Sequence, residues 1–451
     1  MSTAAPVAPA RALAPLLPLA VLGHDVRVPL ATGGETTYAA LDYAASAPAL
    51  RRVWDDVAAY APYYGSVHRG AGHLSQLSTR LFEDARATVA RFLGCRPGDQ
   101  VVFTRSTTDS LNLLAGALPR GCQVFVFETE HHAALLPWRG HGTVCLPAPR
   151  SHEQAVRTLD EALADRDRTR PALVCVTGAS NVTGELWPVS ALASVAHAHG
   201  ARIVLDAAQL APHRAVDITA LDVDWVAFSG HKLYAPFGSG VLAGRADWLA
   251  EAEPYLAGGG ASRQVVTREG GGGLDVVWHD GAARHEAGSP NVIGAHAIAS
   301  ACTALTEAGF DALAEREDAL VRRVADGLAA VPGVRVLSLF GPGAPRVGVL
   351  SFVVAGWSGG RLAAALSAEY GIGVRDGLFC AHPLVRALVD GAAGECGGDA
   401  PSGAVRVSFG VGTPDEHVQR FVRAVGELVR RGARLDYVVE DGHWRPARGR
   451  G

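Results

Sequence analysis

Lysine and arginine together occupy 41 positions of this 451-residue chain, and only one of them, Lys232, is a lysine. An arginine guanidinium does not lose its proton in a protein, so it cannot act as an amine nucleophile or form an imine. Position 232 is therefore the position where arginine is least able to replace lysine. The chemistry that this indicates is formation of an imine between the Lys232 amine and a carbonyl compound. Composition alone is also compatible with a surface lysine retained by chance.

Three hydroxyl residues, Ser106, Thr107 and Thr108, follow a strand predicted over 101–104 and precede a helix predicted over 110–117. Free backbone N–H groups at a helix N-terminus, together with hydroxyls, form a phosphate-binding site. An ordinary Ser/Thr N-cap explains the same residues, and for this segment alone it is the favoured interpretation.

Asp206 ends a strand predicted over 202–206, and Gln209 follows three residues later. The carboxylate could keep a pyridinium nitrogen protonated, and the amide could reach the phenolic oxygen of the same ring. A protonated pyridine ring is the electron sink of pyridoxal 5′-phosphate (PLP), which also carries a phosphate and an aldehyde. Because an Asp at a strand end is a common helix cap as well, Asp206 alone is weak support.

Ser229, Gly230, His231 and Lys232 follow one another at the end of a strand predicted over 225–229. Ser229 and His231 could bind the phosphate while Lys232 forms a Schiff base with PLP.

His131 follows another predicted strand, 123–127, within the run Glu130-His131-His132. It could stack on the cofactor ring and relay protons near neutral pH. Paired histidines could instead bind a metal, but no further ligand stands at zinc spacing, so the sequence predicts no metal site.

The middle of the chain must bring these strand ends together. Near-continuous apolar runs alternate there with helical patterns such as 189–199, which is typical of a mostly parallel sheet covered on both faces. The sequence therefore predicts an α/β fold. The predicted strands are 101–104, 123–127, 172–177, 202–206, 225–229 and 240–243.

From about residue 295 the pattern changes to longer helices with single strands between them. We expect a large PLP-binding α/β domain over 45–295 and a small α+β domain made of 25–44 and 296–435. The remaining segments, 1–24 and 436–451, are expected to be a flexible leader and a flexible tail.

The formal net charge is −4, so nucleic acid and anionic membranes are not expected partners. The seven cysteines are scattered without a CxxC pair, which indicates neither a disulfide framework nor a zinc ribbon and favours a reducing, cytoplasmic compartment. No segment approaches the roughly 20 apolar residues of a membrane span.

Nine segments resemble, in the same order, one enzyme family. The chain looks like the cysteine desulfurases and selenocysteine lyases, of the second desulfurase group within the class V aminotransferases, over roughly residues 38 to 430. The resemblance implies PLP-dependent transferase fold type I and a homodimer. The segments are YAALDYAASAP (38–48), VHRGAGHLS (67–75), FTRSTTDSLNLLA (103–115), ETEHHAALLPW (128–138), SNVTGE (180–185), LDAAQ (205–209), FSGHKLYAPFGSGVL (228–242), HEAGSPN (285–291) and VRDGLFCAHPL (374–384).

The resemblance also implies a role for individual side chains. Lys232 corresponds to the PLP lysine, Asp206 to the pyridine partner, Gln209 to the ring-oxygen partner and His131 to the stacking base. The implied phosphate ligands are Thr107, Thr108, Ser229, His231 and, from the second subunit, Ser289. The implied amino-acid contacts are Asn181 and Arg406 for the carboxylate, the active-site arginine Arg375, and His68 and Arg69 at the mouth of the site.

Cys380 corresponds to the family's catalytic cysteine, whose thiolate takes sulfur from the substrate as a persulfide and leaves alanine. A sulfur-acceptor protein is a further implied partner. Two features depart from the family pattern: Leu378 and Phe379 replace two histidines, and a Gly/Ala-rich insert occupies 391–403. Apolar neighbours disfavour a thiolate unless Arg375 compensates.

Two alternatives therefore stay open. One is another PLP reaction on a specialised amino acid without Cys380, such as C–S lysis, transamination, epimerisation or decarboxylation. The other is a non-catalytic PLP-binding protein.

Overall fold

The computed structural model describes residues 18–68, 70–396 and 403–447. Its strands are β1 (Arg27–Pro29), β2 (Glu35–Thr37), β3 (Ala39–Ala40), β4 (Gln100–Thr104), β5 (Gln123–Phe127), β6 (Gly142–Leu146), β7 (Ala172–Thr177), β8 (Arg202–Asp206), β9 (Trp225–Ser229), β10 (Gly240–Gly244), β11 (Ser262–Thr267), β12 (Leu274–Trp278), β13 (Val334–Val336), β14 (Val349–Val354), β15 (Ile372–Gly373), β16 (Arg375–Gly377), β17 (Ala404–Ser408), β18 (Tyr437–Glu440) and β19 (His443–Pro446).

The helices cover both sides of the sheet built from β4 to β10 and surround a second sheet nearer the C-terminus. They are α1 (Arg51–Tyr60), α2 (His73–Phe92), α3 (Thr107–Ala117), α4 (His132–Leu135), α5 (His152–Ala164), α6 (Val189–Ala198), α7 (Ile218–Leu221), α8 (Asp247–Glu251), α9 (Val292–Ala308), α10 (Phe310–Ala329), α11 (Gly359–Tyr370), α12 (His382–Cys396) and α13 (Asp415–Arg431).

The central sheet has seven strands in the order β4-β10-β9-β8-β7-β5-β6. Only β10 runs antiparallel to its neighbours, so six carboxyl ends point to the same edge. The strands β5, β7, β8 and β9 are almost wholly buried, as near-continuous apolar runs require when helices cover both faces. Ligands of such sheets bind beyond the carboxyl ends of the strands.

The second sheet is antiparallel, in the order β13-β14-β17-β16, and its core is formed with α10, α11 and α13. Its strand β16 carries Arg375, and the turn after it carries Cys380. This sheet therefore delivers a second set of side chains toward the edge where the parallel strands end.

The two predicted flexible ends differ from the structure where it describes them. Val21 is buried, and the Leu19 N–H donates to the Val411 carbonyl at 2.9 Å, so residues 18–24 pack on the body of the chain. Residues 437–446 form the hairpin β18–β19, which is held because the buried Tyr437 hydroxyl donates to Glu369 at 3.0 Å. The expected leader over 1–17 and the tail over 448–451 lie outside the described residues.

The predicted Gly/Ala-rich insert is only partly covered by the description. Helix α12 continues through Cys396, so the first part of 391–403 is helical. Residues 397–402 lie outside the described part of the chain. Among the described helices, none combines the length and apolar character that a bilayer crossing requires.

Candidate active site

A cavity of about 440 Å³ lies at the carboxyl ends of the parallel strands, between the central sheet and the second sheet. It collects most of the side chains that the sequence singled out. These are Thr107, Thr108, His131, Asn181, Asp206, Gln209, Ser229, His231, Lys232, Arg375, Cys380 and Arg406. The residues from Thr107 to Lys232 follow strands of the parallel sheet. Arg375 lies on β16, Cys380 lies in the turn after β16, and Arg406 lies on β17.

The start of α3 is tied to the end of β9. The Thr107 N–H donates to the Ser229 hydroxyl at 2.7 Å, and the two hydroxyl oxygens lie 2.7 Å apart. A Cβ at Gly240 would lie 2.7 Å from the Ser106 Cα, so glycine lets β10 pass close to this turn. The side chain of Ser106 accepts the Asp109 N–H at 3.3 Å as the N-cap, while Thr108 is exposed toward the cavity. The hydroxyl residues Thr107, Thr108 and Ser229 therefore line the same space at the N-terminus of α3, as a phosphate site requires.

Lys232 is partly buried at the floor of the cavity, directly after β9. Burial lowers the pKa of Lys232 to about 8, although the charge of Asp206 opposes the shift. No hydrogen bond or ion pair with another described residue engages the Lys232 amine. An amine with this pKa is mostly protonated near physiological pH but keeps a much larger neutral fraction than an ordinary lysine, and the neutral form attacks an aldehyde.

Asp206 is buried at the end of β8, and its Oδ1 accepts the Ala208 N–H at 2.9 Å. Burial raises the pKa of the Asp206 carboxyl, while the Ala208 N–H and the charge of Lys232 act in the opposite direction. A cation placed against this carboxyl would be stabilised by it. Nearby, the Gln209 amide donates to the Ala44 carbonyl at 2.8 Å, which fixes the orientation of that side chain.

His131 caps the short helix α4, where its Nδ1 accepts the Ala133 N–H at 3.0 Å. The ring proton of the neutral imidazole is therefore on Nε2. Burial, and then the positive charge of Lys232, lower the pKa of His131 to about 3. This shift favours the neutral imidazole, and the proton relay by His131 stays a prediction. Burial and the charge of Lys232 also lower the pKa of His231.

Arg406 and Asn181 form one buried unit at the other side of the cavity. Arg406 is 4% exposed and donates to the Asn181 carbonyl at 3.1 Å and to the Asp42 carboxylate at 2.9 Å. Its Nε is buried without a hydrogen-bond partner in the described structure. A buried guanidinium with an unsatisfied N–H is suited to a carboxylate ligand.

Cys380 is exposed and lines the same cavity as Lys232. A negative charge on the Cys380 sulfur would raise the pKa of both the Lys232 ammonium and the Arg406 guanidinium. Phe379, which the sequence placed as an apolar neighbour, is itself buried in a cluster with Leu384 and Val385. The exposed thiol and its buried neighbour therefore have different surroundings.

Two predicted contacts, His68 and Ser289, do not line this cavity within one chain. His68 lines a second cavity of about 810 Å³ in the single chain and forms a hydrogen bond with Glu83 at 2.9 Å, so its place at the mouth of the site stays a prediction. The His68 ring packs against Phe82 of α2. Ser289 is exposed beside the second cavity, between Gly288 and Pro290. Arg69 lies outside the described residues.

The structure adds side chains that the sequence did not single out. His382 lines the cavity, and its ring centroid lies 4.5 Å from that of His132, whose N–H donates to the Cys380 carbonyl at 2.8 Å. Glu130 is fully buried, and burial followed by the charge of Asp206 raises its pKa well above the ordinary value. Of these residues, His382 could have been noticed in the sequence, because it stands two residues after Cys380. In the part of the chain that the structure describes, no group of three or more His, Cys, Asp or Glu side chains could hold a metal ion.

Comparison with known proteins defines the class. A model of the aminotransferase class-V family matches residues 39–421. The chain is 38% identical over 357 residues to a cysteine desulfurase of Dickeya dadantii, covering 76% of this chain and 83% of that protein. It is 34% identical over 400 residues to a cysteine desulfurase of Pectobacterium atrosepticum, covering 86% and 93%.

Solved structures give the same relationship. A cysteine desulfurase of Thermococcus onnurineus superposes with a TM-score of 0.76 at 31% identity, covering 87% of this chain and 95% of that one. A cysteine desulfurase of Escherichia coli gives 0.73 at 30% identity, with the same coverage.

This chain belongs to the class-V aminotransferase family. The predicted family resemblance and the predicted fold type I are thereby confirmed. Enzymes of this family depend on PLP, and the donor set of the cavity fits that group: an amine, a buried carboxylate, and hydroxyls at a helix N-terminus.

Proposed function

We propose that this chain is a PLP-dependent cysteine desulfurase that converts L-cysteine to L-alanine and retains the sulfur as a persulfide on Cys380. The observation that carries the proposal is that the exposed Cys380 lines the same cavity as Lys232. The named relatives and solved structures, all cysteine desulfurases, support the same activity.

Within this proposal Lys232 would hold the cofactor covalently, Asp206 and Gln209 would contact its ring, and His131 would stack on it. A separate group of side chains would bind its phosphate. When bound, PLP supplies an electron sink that weakens the bonds at the amino-acid Cα. The phosphate ligands are Thr107, Thr108, Ser229, His231 and the partner chain's copy of Ser289.

Lys232 is the better of two candidate bases for the Cα proton. Its pKa of about 8 lets the free amine accept and return a proton at physiological pH, whereas His131, with a pKa of about 3, is a weak acceptor. Arg406 and Asn181 bind the α-carboxylate. Arg375, exposed on β16, adds positive charge near the Cys380 thiolate.

The sulfur-transfer step balances without an external reductant. The Cys380 thiolate forms a bond to the substrate sulfur as the substrate Cβ–S bond breaks, and the electron pair of that bond stays on Cβ. Cβ then takes up one proton, equal in number to the one that the Cys380 thiol lost, which completes the methyl group of alanine. The sulfur stays on the enzyme as a Cys380 persulfide, from which a sulfur-acceptor protein would take it. L-Selenocysteine, with a weaker bond to Cβ, is a second substrate in this proposal.

We also propose a cytoplasmic homodimer. The hairpin β11–β12 exposes Val265, Val266, Leu274 and Val277, each between 46% and 59% exposed, which is an apolar surface that a second copy would cover. One chain leaves Ser289 outside its own cavity, so the phosphate contact expected of Ser289 needs a partner. The proposed cytoplasmic location is supported by the described cysteines, which are unpaired.

The test is product identification. Purified protein is incubated with L-cysteine, L-selenocysteine and a panel of other amino acids, and the products are identified by mass spectrometry. We expect alanine and Cys380-bound sulfur from L-cysteine, and loss of both in Cys380→Ala. Cys145→Ala is the matched control, because Cys145 is also exposed but lies on β6. Undiminished turnover in Cys380→Ala would favour the alternative reaction types and overturn the persulfide.

A further inference from the structure

The turn that carries Cys380 has an unusual backbone. Phe379 and Cys380 have φ values of +50° and +54°, so two consecutive residues with a Cβ are in the left-handed region. Each such residue costs about 1 kcal/mol or more, and the surrounding contacts must hold the turn in this form.

Two hydrogen bonds hold the carbonyls of this turn. The Asn181 side-chain amide donates to the Phe379 carbonyl at 2.8 Å, and the His132 N–H donates to the Cys380 carbonyl at 2.8 Å. Both donors follow strands of the parallel sheet, whereas the turn follows β16 of the second sheet. The position of Cys380 therefore depends on contacts made across the cavity.

Phe379 also contacts the second of the carboxylate-binding residues. The Arg406 guanidinium carbon lies 5.1 Å from the centroid of the Phe379 ring, and both side chains are buried. Cation–π contacts of this kind are stronger when water is excluded. Asn181 and Arg406 thus hold the same residue, one through its carbonyl and the other through its ring.

A bound carboxylate would disturb this arrangement. Each outer nitrogen of Arg406 donates one of its two N–H groups, to Asn181 or to Asp42, and the Nε–H has no partner in the described structure. A carboxylate held in a fork by the Nε–H and a second N–H of an outer nitrogen pulls on the guanidinium, which packs over the Phe379 ring. The charged ligand also competes with the neutral Phe379 carbonyl for the Asn181 amide.

We propose that Phe379 is a positioning residue through which binding of the substrate α-carboxylate to Asn181 and Arg406 loosens the turn that carries Cys380. The inference rests on the proposed function and deepens it. Cys380 gains freedom to reach the substrate sulfur only once an amino acid occupies the cavity. A ligand shifts an equilibrium only by its different affinity for the two states, and here the difference lies in the contacts of Asn181 and Arg406.

Hydrogen–deuterium exchange of the PLP-loaded protein tests this. The reporters are the His132 amide, which is released when the turn opens, and the Ala381 amide, which donates to the Leu378 carbonyl at 2.9 Å. Peptides of α13 are the internal control. L-Alanine supplies the carboxylate without a sulfur, and ethylamine supplies the amine without the carboxylate.

We expect L-alanine to speed exchange at both reporters about fivefold to tenfold, as expected for loss of one hydrogen bond, with ethylamine and the α13 peptides unchanged. Asn181→Ala should exchange fast without a ligand and respond little to L-alanine. Phe379→Leu, which keeps the carbonyl but lacks the ring, should be intermediate, and Phe379→Tyr should restore the wild-type rate.

Two failures are distinguishable. If L-alanine changes the cofactor absorbance but leaves or slows exchange at His132 and Ala381, the coupling is overturned and the desulfurase proposal stands. If L-alanine leaves the absorbance unchanged and L-cysteine yields no alanine, the proposed function fails and the coupling fails with it.

Discussion

The backbone N–H of Thr107 donates to the hydroxyl of Ser229 at 2.7 Å, which joins the first residue of α3 to the last residue of β9. Ser229 is only three residues before Lys232, so the same short segment holds a phosphate ligand and the cofactor amine in the proposed site. Ser229→Ala should weaken PLP binding about tenfold, since it removes one hydroxyl and frees the start of α3.

Titration of the apoprotein with PLP measures this affinity. Ser194→Ala, an exposed serine of α6, is the matched control. An unchanged dissociation constant in Ser229→Ala would remove Ser229 from the phosphate site.

Lys232→Arg keeps the positive charge at the cavity floor but removes the amine. We expect the absorbance band near ~420 nm, which reports the covalent attachment of PLP to a lysine, to be absent from this variant while the protein stays folded. Circular dichroism checks the fold. A band that persists in Lys232→Arg would contradict the assignment.

The rate of covalent PLP capture should depend on pH. Only the neutral amine attacks the aldehyde, so the rate constant should rise about tenfold per pH unit below the Lys232 pKa of about 8 and level off above it. Stopped-flow absorbance from about pH 6 to pH 10 measures the profile. A rise that continues to about pH 10, as for an exposed lysine, would contradict the effect of burial.

A histidine outside the active site should make stability depend on pH. His197 contacts Asp224 at 2.9 Å and Asp222 at 3.1 Å, and although burial opposes its charge, these carboxylates raise the pKa of His197. A raised pKa in the folded state contributes stability that is complete below the unfolded-state pKa and is lost as pH rises through the folded-state value.

The melting temperature of His197→Asn should therefore fall below that of the wild type by more at pH 6 than at pH 9. His141→Asn, whose ring contacts a backbone carbonyl, is the control. A difference that grows with pH would have the wrong sign.

The C-terminal hairpin should stabilise the second sheet. A Cβ at Gly360 would lie 2.7 Å from the Trp444 ring, so the indole of β19 packs directly on α11. Trp444→Ala should lower the free energy of unfolding by about 1 to 2 kcal/mol, because part of a large apolar side chain loses its contact. Val439→Ala, on the same hairpin and 56% exposed, should change it little. Denaturant titration distinguishes the two.

The parallel sheet was predictable because buried strands such as 172–177 and 225–229 are continuous apolar runs of the right length. The side chains that follow those strands were predictable for the same reason, since parallel strands must end at one edge. The hairpin was not, because YVVE and HWRP are short, half-polar segments that are held mainly by contacts with α11 and Glu369.

Contacts between distant parts of the chain were also beyond the sequence pattern. Asp42 and Arg406 are 364 positions apart, and their ion pair forms because the chain at Asp42 bridges to Ser408 at the end of β17. The ring contact of His132 with His382 also joins distant positions, because it links α4 to the start of α12. The expected contacts of Ser289 and His68 could not be checked within one chain, because neither residue lines the cavity of the chain that carries it.

The single lysine has a practical consequence. Since Lys232 lies at the floor of the cavity and all other basic long side chains are arginines, amine-directed chemistry has one side-chain target in this protein. Acylation, reductive alkylation and amine-coupled cross-linking of side chains would each report on the cavity floor alone. Occupancy of the cavity could therefore be counted by intact mass, through the fraction of molecules whose only side-chain amine is shielded from the reagent.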